Sequence, residues 1–252
     1  MTDGSIMENE GYFFQHNGYC EICEKSTIFS ARNKNFRSTF RCVHCNTPPR
    51  ERALYHALSS LFPDWRNLLI HESSPNKIGV SAKLSQASGY IETQFDPSIS
   101  WGSIHPTGGY RSENLEAQTF ENECFDIVIT QDVFEHLFNP DKAIKEIART
   151  LKPGGAHICT FPITQKTKPT RKRASLINGE IVHHLPPSYH GNPVAKEALM
   201  TIDWGYDVVS YLTRHSGLSC WMWSIDKIDL GIRADFNEVI VCHKPLMEPE
   251  LY

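Results

Sequence analysis

The chain has 252 residues, of which 40% are hydrophobic and 21% are charged, with a formal net charge of -4 at pH 7. This is ordinary globular composition, and the length allows one α/β domain and a small additional module. The weak acidic charge excludes a bulk attraction to nucleic acids or anionic membranes, and no apolar run approaches the roughly 20 residues of a membrane-spanning helix. Residues 1–10 are polar and acidic, unlike a secretory signal, so we expect a soluble, cytoplasmic protein.

Residues 1–18 are expected to be a loose leader, and paired cysteines follow it. The cysteines form two C-x2-C pairs, Cys20 with Cys23 and Cys42 with Cys45. Each pair places two thiolates on one tight turn, and four thiolates complete a tetrahedral zinc site. Because four protein ligands leave no open coordination position, we predict a structural zinc module over residues 19–48. His44 lies inside the second pair and could replace a thiolate, although four cysteines suffice.

The other cysteines stand singly in apolar or strand-like segments: Cys124, Cys159, Cys220 and Cys242. In a reducing cytosol, lone cysteines behave as small buried hydrophobic residues, so we expect no disulfides. Zinc ribbons often bind nucleic acids, but the arginines near the paired cysteines are few: Arg41, Arg50 and Arg52. We interpret them as a solvated face or as packing onto the rest of the chain.

From Pro49 onward, helical and strand-like patterns alternate. Apolar residues recur at helix spacing as far as Phe62. Strand-like runs then lie at 68–70, 89–91, 126–130 and 157–161. An amphipathic helix, capped by Asn139 and ended by the glycines at 154–155, precedes the last of these runs. This alternation predicts βαβ units and a mainly parallel sheet.

Residues 163–206 interrupt the rhythm with prolines, histidines and basic residues. A helix is predicted over Tyr206–Leu212, and strands over Cys220–Ile228 and Glu238–His243. Because no helical pattern separates the last two strands, they should form a terminal antiparallel pair.

Two stretches of this sequence carry a family resemblance. Residues 125–136 read FDIVITQDVFEH, and residues 149–155 read RTLKPGG. They closely resemble the second half of class I, type 11-like S-adenosylmethionine-dependent methyltransferases, and the resemblance spans roughly residues 65–162. It implies a Rossmann-like α/β fold over residues 49–252, with a mainly parallel seven-stranded sheet and a terminal antiparallel strand. S-adenosylmethionine is the implied cofactor and methyl transfer the implied reaction.

The resemblance also implies where the cofactor binds. The family's glycine-rich turn corresponds to residues 71–79, with Glu72 at the acidic position, Ser73 and Ser74 at glycine positions, and Pro75 next. A positive φ costs serine more than glycine. The position that binds the ribose falls on Gln94, or on Asp96 if the strand register shifts by two. The other implied contacts are Glu113, Asn114 and Leu115 at the adenine, and Gln131 and Asp132 at the methionine end.

The insert of residues 163–206 lies where this family builds its acceptor pocket. Methyl transfer needs an acceptor atom oriented behind the methyl group, and a hydroxyl acceptor must lose its proton. The insert supplies candidate bases and an orienting hydroxyl group: His183, His184, Tyr189 and His190. His136 is a further candidate, although in this family that histidine more often packs the helix. The basic residues 171–173 give a weak indication of an anionic acceptor.

Chains that join a zinc knot to such a domain resemble bacterial enzymes that modify sugars or other small metabolites. We therefore expect a small-molecule acceptor, such as a sugar or glycan hydroxyl. One alternative is a non-catalytic zinc-containing binding protein, because the Ser73–Pro75 loop lacks glycine. Another is a nucleic-acid or protein methyltransferase. The acidic charge and the lack of an aromatic and basic stripe both count against the nucleic-acid alternative. The sequence indicates neither the acceptor nor the oligomeric state.

Overall fold

The computed structural model describes residues 11–192 and 196–246. The chain begins with a three-stranded antiparallel sheet made of β1 (Phe14–Cys20), β2 (Lys25–Ala31) and β3 (Arg41–Cys42), with α1 (Phe36–Thr39) before β3. β1 pairs with β2 along its whole length, so residues 14–18 are part of the cysteine module and not of a leader. The polar composition of β1 gave no apolar strand pattern in the sequence, because its residues alternate between exposed and half-buried. Residues 1–10 of the expected leader lie outside the described residues.

The remaining elements follow in chain order. They are α2 (Pro49–Leu61), β4 (Leu69–Ser73), α3 (Gly79–Leu84), β5 (Gly89–Gln94), β6 (Arg111–Ser112), β7 (Phe125–Gln131), α4 (Pro140–Thr150), β8 (Leu151–Thr160), β9 (Arg171–Lys172), β10 (Ala174–Ile177), β11 (Glu180–His183), β12 (Tyr189–Asn192), β13 (Lys196–Leu199), β14 (Ile202–Asp203), α5 (Val208–Ser216), β15 (Ser219–Trp223) and β16 (Val239–His243). Single 3₁₀ turns lie at Trp65–Asn67, Phe134–His136 and Ile228–Leu230. None of the described helices is both long enough and apolar enough to cross a bilayer.

The central sheet has seven strands in the order β6-β5-β4-β7-β8-β16-β15. The strands from β6 to β8 are parallel, whereas β16 runs antiparallel to both of its neighbours. The predicted mainly parallel seven-stranded sheet, with an antiparallel pair near its end, is confirmed. The strand order reverses between β4 and β7, which directs the carboxyl ends of these strands to one crevice.

Both faces of the sheet are covered. Ile127 and Ile129 of β7 share a buried cluster with α2, while Val128 joins the cluster that contains α4 and α5. This follows from the period of two in a strand, which sends alternate side chains to opposite faces. The predicted α4 is present, but Asn139 makes no side-chain cap: its amide donates to Glu116 at 2.7 Å instead.

The cysteine module packs into the same core as the large sheet. Phe29 and Phe40 lie in one buried cluster with Leu54 and Leu58 of α2. Arg52 of α2 is buried, and its guanidinium donates to the carbonyls of residues 40, 47 and 231. It also lies over the Phe29 ring at 4.6 Å. Of the two interpretations for Arg52, packing onto the rest of the chain is therefore the correct one.

The C-terminal half contains three short strand pairs and a disulfide. Within the insert of residues 163–206, β10 pairs with β11, β12 with β13, and β9 with β14. Cys220 and Cys242 lie directly opposite each other on β15 and β16 and form a disulfide, so the expectation of no disulfides is wrong. Their separation along the chain hid this pairing.

Candidate active site

Strand β4 ends at Ser73, and the chain then turns sharply at the sheet's carboxyl edge. Ser74 has a φ of +58°, in the left-handed region that glycine adopts with least cost. Its N–H donates to the carbonyl of Thr93 at 2.7 Å, and the side-chain amide of Gln94 donates to the carbonyl of Pro75 at 3.0 Å. The loop thus takes a glycine-like turn at Ser74, whereas Ser73 remains in the strand.

Glu72 lies buried beneath this loop. Its carboxylate accepts hydrogen bonds from the Ser81 hydroxyl at 2.7 Å, the Tyr90 hydroxyl at 2.7 Å and the Gln131 amide at 2.6 Å. Burial raises the pKa of Glu72, and these three donors act in the opposite direction. The carboxylate therefore joins β4 to α3, β5 and β7, and it brings Gln131 to the crevice.

Gln94 and Asp96 both stand at the end of β5. Because Gln94 uses its amide nitrogen on the loop, its amide oxygen can accept from a ligand hydroxyl. Asp96 accepts from the Ser98 hydroxyl and from the Tyr110 hydroxyl at 2.7 Å. These hydrogen bonds lower the pKa of Asp96, which keeps it ionised. The geometry leaves both ribose candidates open.

The predicted adenine segment is held by its own hydrogen bonds. Glu113 is buried and accepts from Arg111 at 2.8 Å and from the Thr119 N–H at 3.0 Å. The side-chain oxygen of Asn114 accepts from the N–H of Glu116 at 2.9 Å. Leu115 is 5% exposed and belongs to the core cluster under β7. The side chains of Glu113 and Asn114 therefore stabilise the conformation of this segment through hydrogen bonds with neighbouring residues.

Asp132 follows β7 and receives two arginines from the N-terminal part of the chain. Arg50 lies 2.8 Å from its carboxylate and Arg37 lies 3.1 Å from it. Arg37 also donates to the carbonyl of Phe236, which lines a cleft of about 370 Å³ beyond the end of β8. Sequence reasoning missed this contact, because 95 residues separate Arg37 from Asp132.

The four predicted acceptor-side residues lie in two hairpins and are all exposed. His183 ends β11, and the next residue, His184, bonds the Ser175 hydroxyl at 2.8 Å. Tyr189 and His190 begin β12. The His190 ring meets the His136 ring edge-on, with 5.8 Å between centroids. Among the described residues, His190 is the only one of these four whose ring contacts His136, which follows β7.

His136 is oriented by a backbone carbonyl. Its Nδ1 lies 2.8 Å from the carbonyl oxygen of Leu199, so Nδ1 carries the hydrogen and Nε2 keeps a lone pair. Burial lowers the pKa of His136, which favours the neutral ring. This residue was the secondary candidate in the sequence, and the fold places it beside His190.

The basic residues of the insert are largely paired. Arg171 and Arg173 each lie 2.8 Å from the carboxylate of Asp203, which is 5% exposed. Arg173 also donates to the carbonyl of Pro186 at 2.7 Å. These contacts stabilise the structure of the insert. Because Arg171 and Arg173 are already paired with a carboxylate, they weaken the indication of an anionic acceptor.

The four paired cysteines converge at the tip of the N-terminal module. The Sγ atoms of Cys20 and Cys45 are 3.6 Å apart, and those of Cys23 and Cys42 are 3.8 Å apart. A tetrahedron with Zn–S bonds of about 2.3 Å has edges of about 3.8 Å, so this donor set fits a zinc ion. All four sulfurs lie within 4.8 Å of one another.

Comparisons with known proteins agree with this geometry. Residues 91–159 match the family described as a methyltransferase domain. The ubiquinone biosynthesis O-methyltransferase of Roseobacter denitrificans is 28% identical over 149 residues, which are 54% of this chain and 54% of that protein. The protein of the same name from Cereibacter sphaeroides is 27% identical over 136 residues, covering 49% of this chain and 51% of that protein. The chain thus spans about half the length of the curated relatives it matches.

A solved structure shares the fold. The 1,6-didemethyltoxoflavin-N1-methyltransferase of Burkholderia thailandensis, with bound 1,6-didemethyltoxoflavin and S-adenosylhomocysteine, aligns with a TM-score of 0.50 at 11% identity. The alignment covers 78% of each chain. The matched residues and the mainly parallel seven-stranded sheet both support a methyltransferase domain in this chain.

Proposed function

We propose that this protein transfers the methyl group of S-adenosylmethionine to a hydroxyl oxygen of a small molecule. The observation that carries the proposal is the crevice at the sheet's carboxyl edge. There the Ser74 turn, the hydrogen bond between Glu72 and Gln131, and Gln94 meet where the strand order reverses. Open α/β sheets bind their ligands at such points.

The residues at this edge fit the cofactor, which supplies an electrophilic methyl group when bound. The Ser73–Pro75 loop would lie against it, and Gln94 or Asp96 would accept from the ribose hydroxyls. The adenine would lie against residues 113–115, and Gln131 and Asp132 would face the methionine end. Glu72 would mainly support the loop and Gln131 from beneath the cofactor site, because three hydrogen-bond donors already occupy its carboxylate.

A small acceptor with a hydroxyl group is supported by two observations. The relatives described above are named as O-methyltransferases. The cleft of about 370 Å³ beyond β8 is also within the size range of small-molecule sites. His136, which follows β7, and His190, whose ring contacts it, would engage the hydroxyl. A sugar hydroxyl and an aromatic hydroxyl are the two acceptor classes to be separated by experiment.

We also propose that Cys20, Cys23, Cys42 and Cys45 hold one structural zinc ion. The Sγ separations support this assignment. With four protein ligands, such an ion has no open position for a substrate.

The test begins with the cofactor. Calorimetry with S-adenosylhomocysteine should show binding in the micromolar range, and Q94A should weaken it about tenfold. Q86A is the matched control, since Gln86 is an exposed glutamine outside the crevice. Incubation with labelled S-adenosylmethionine and a panel of sugar and phenolic acceptors would then identify the acceptor class. No binding of S-adenosylhomocysteine at millimolar concentration would instead favour a non-catalytic binding protein.

A further inference from the structure

Glu135 occupies an unusual place in the turn that follows β7. Its side chain is fully buried. Neither carboxylate oxygen has a hydrogen-bond partner among residues 11–192 and 196–246. The nearby guanidinium groups of Arg37 and Arg50 are both bound to Asp132. Burying a carboxylate costs free energy unless a cation or a proton neutralises it, so Glu135 is expected to bind one of them.

Two histidines point ligand atoms at this carboxylate. His136 carries its hydrogen on Nδ1, toward the Leu199 carbonyl, so its lone pair is on Nε2, 3.9 Å from Glu135 Oε1. His190 lies on β12, in the hairpin that β12 forms with β13. The ligand atoms of Glu135, His136 and His190 all lie within 4.8 Å of one another. A backbone carbonyl that fixes the ring tautomer is the usual support for a metal-ligating histidine.

We propose that Glu135, His136 and His190 bind a divalent transition-metal ion at the acceptor side of the crevice. Two imidazoles and one carboxylate suit Zn²⁺, Fe²⁺ or Mn²⁺. Three protein ligands leave coordination positions open, unlike the four-cysteine site. His190 is exposed, so these positions face solvent and an entering molecule.

The ion would act on the acceptor, and this role rests on the proposed methyl transfer. A hydroxyl oxygen at an open position has a lowered pKa, because the cation stabilises the negative charge. The O–H bond breaks and its proton passes to water. The oxygen lone pair then forms the C–O bond, while the S–CH₃ bond breaks and leaves its electrons on sulfur. Acceptors with an oxygen next to the hydroxyl, such as vicinal diols, would chelate the ion.

Mn²⁺ is the probe for this site. Protein with zinc in its four-cysteine site is titrated with Mn²⁺, and the free ion is followed by electron paramagnetic resonance. Mn²⁺ is weakest in the divalent affinity order and prefers oxygen ligands, so it leaves the thiolate zinc in place. About one equivalent should bind at micromolar concentrations. E135Q and H190A should each weaken it at least tenfold, whereas H215A, which removes a histidine on α5 that packs on Tyr211, should not.

Failure of the metal site is distinguishable from failure of the methyl-transfer proposal. Equal Mn²⁺ affinity in wild type, E135Q and H190A, or no binding at millimolar Mn²⁺, would overturn the metal site. If E135Q does not fold, H190A decides alone, because His190 is exposed. The same samples are titrated with S-adenosylhomocysteine. Cofactor binding without Mn²⁺ binding would refute the metal site alone, and the reverse would refute the cofactor site alone.

Discussion

Arg50 and Asp132 form an ion pair with 2.8 Å between Nε and Oδ2, and this pair joins helix α2 to the end of β7. Arg37 adds a second guanidinium at 3.1 Å. Both arginines precede the seven-stranded sheet in the chain, so the N-terminal part of the protein reaches the proposed methionine end of the cofactor. The cysteine module is therefore positioned to influence the chemistry and not only the stability.

R50A should lower kcat/KM about tenfold, because Asp132 loses the closer of its two partners, while partly exposed pairs of this kind contribute only about 0–1 kcal/mol to stability. Steady-state kinetics and thermal unfolding measure the two effects. R41A is the matched control, since Arg41 is a nearby arginine of the N-terminal part of the chain that instead bonds the carbonyls of Ser38 and Asn46. An R50A enzyme that behaves like R41A would contradict this role.

Zinc removal should unfold the whole protein in one step, because the cysteine module and the large sheet share one buried cluster. Elemental analysis should show that C42S retains one zinc less than wild type. C124S should retain the full amount, since Cys124 lies outside the cluster of four. A metal-free protein with unchanged unfolding temperature would refute the structural zinc.

S74G should stabilise the protein by about 1 kcal/mol, because a left-handed backbone costs a side chain roughly that amount. Chemical denaturation measures the difference. S85G is the control, since Ser85 has a φ of -62° and glycine relieves nothing there. If both substitutions destabilise the protein equally, the turn at Ser74 has been misjudged.

Acid should destabilise the protein through His71, whose pKa is lowered to about 3 by burial. An unfolded histidine titrates near pH 6.5, so unfolding takes up a proton between about pH 6.5 and 3. Stability is full above pH 6.5 and falls below it, by up to about 1.4 kcal/mol per pH unit for this histidine. Denaturation of wild type and H71Q from pH 7 to pH 4 tests this: the slope should be shallower in H71Q and unchanged in H183Q, because His183 is exposed.

His190 should matter more to turnover than the other histidines of the insert. Once an acceptor is found, H190A should lower kcat by roughly 10²-fold or more, a typical effect for a group that promotes proton transfer. H183A and H184A should stay near wild type, because these side chains stand on the other hairpin. Similar losses in all three variants would point to a general effect on the insert.

The sequence predicted the sheet well because its signals are local. Hydrophobic patterns with a period of two or 3.6 residues mark individual strands and helices. The family resemblance of residues 125–136 and 149–155 indicates the order of these elements. Contacts between distant segments could not be predicted in this way. The Arg37–Asp132 pair, the Cys220–Cys242 disulfide and the meeting of His136 with His190 all depend on tertiary packing. Polar composition also concealed β1, since its residues are stabilised by pairing with β2 and not by deep burial.

At the predicted cofactor edge, the sequence identified candidate loops but not the conformation or hydrogen-bond partners of each side chain. Glu72 is predicted to contact the cofactor, and the sequence did not reveal that its carboxylate accepts from three donors of the protein. Ser73 and Ser74 were both placed at glycine positions, and of the two only Ser74 has a positive φ. Such assignments depend on φ angles and on neighbours from other strands, neither of which a single sequence displays.

The position of Arg52 has a consequence for how the chain folds during synthesis. Its guanidinium binds carbonyls of the early cysteine module, but also that of Gly231, which lies 179 residues further along. Two of its acceptors, at residues 40 and 47, are synthesised before Arg52, whereas the acceptor at Gly231 follows 179 residues later. Distant contacts of this kind close late. Nascent chains that do not yet include Gly231 would therefore carry an Arg52 whose guanidinium is still incompletely bound.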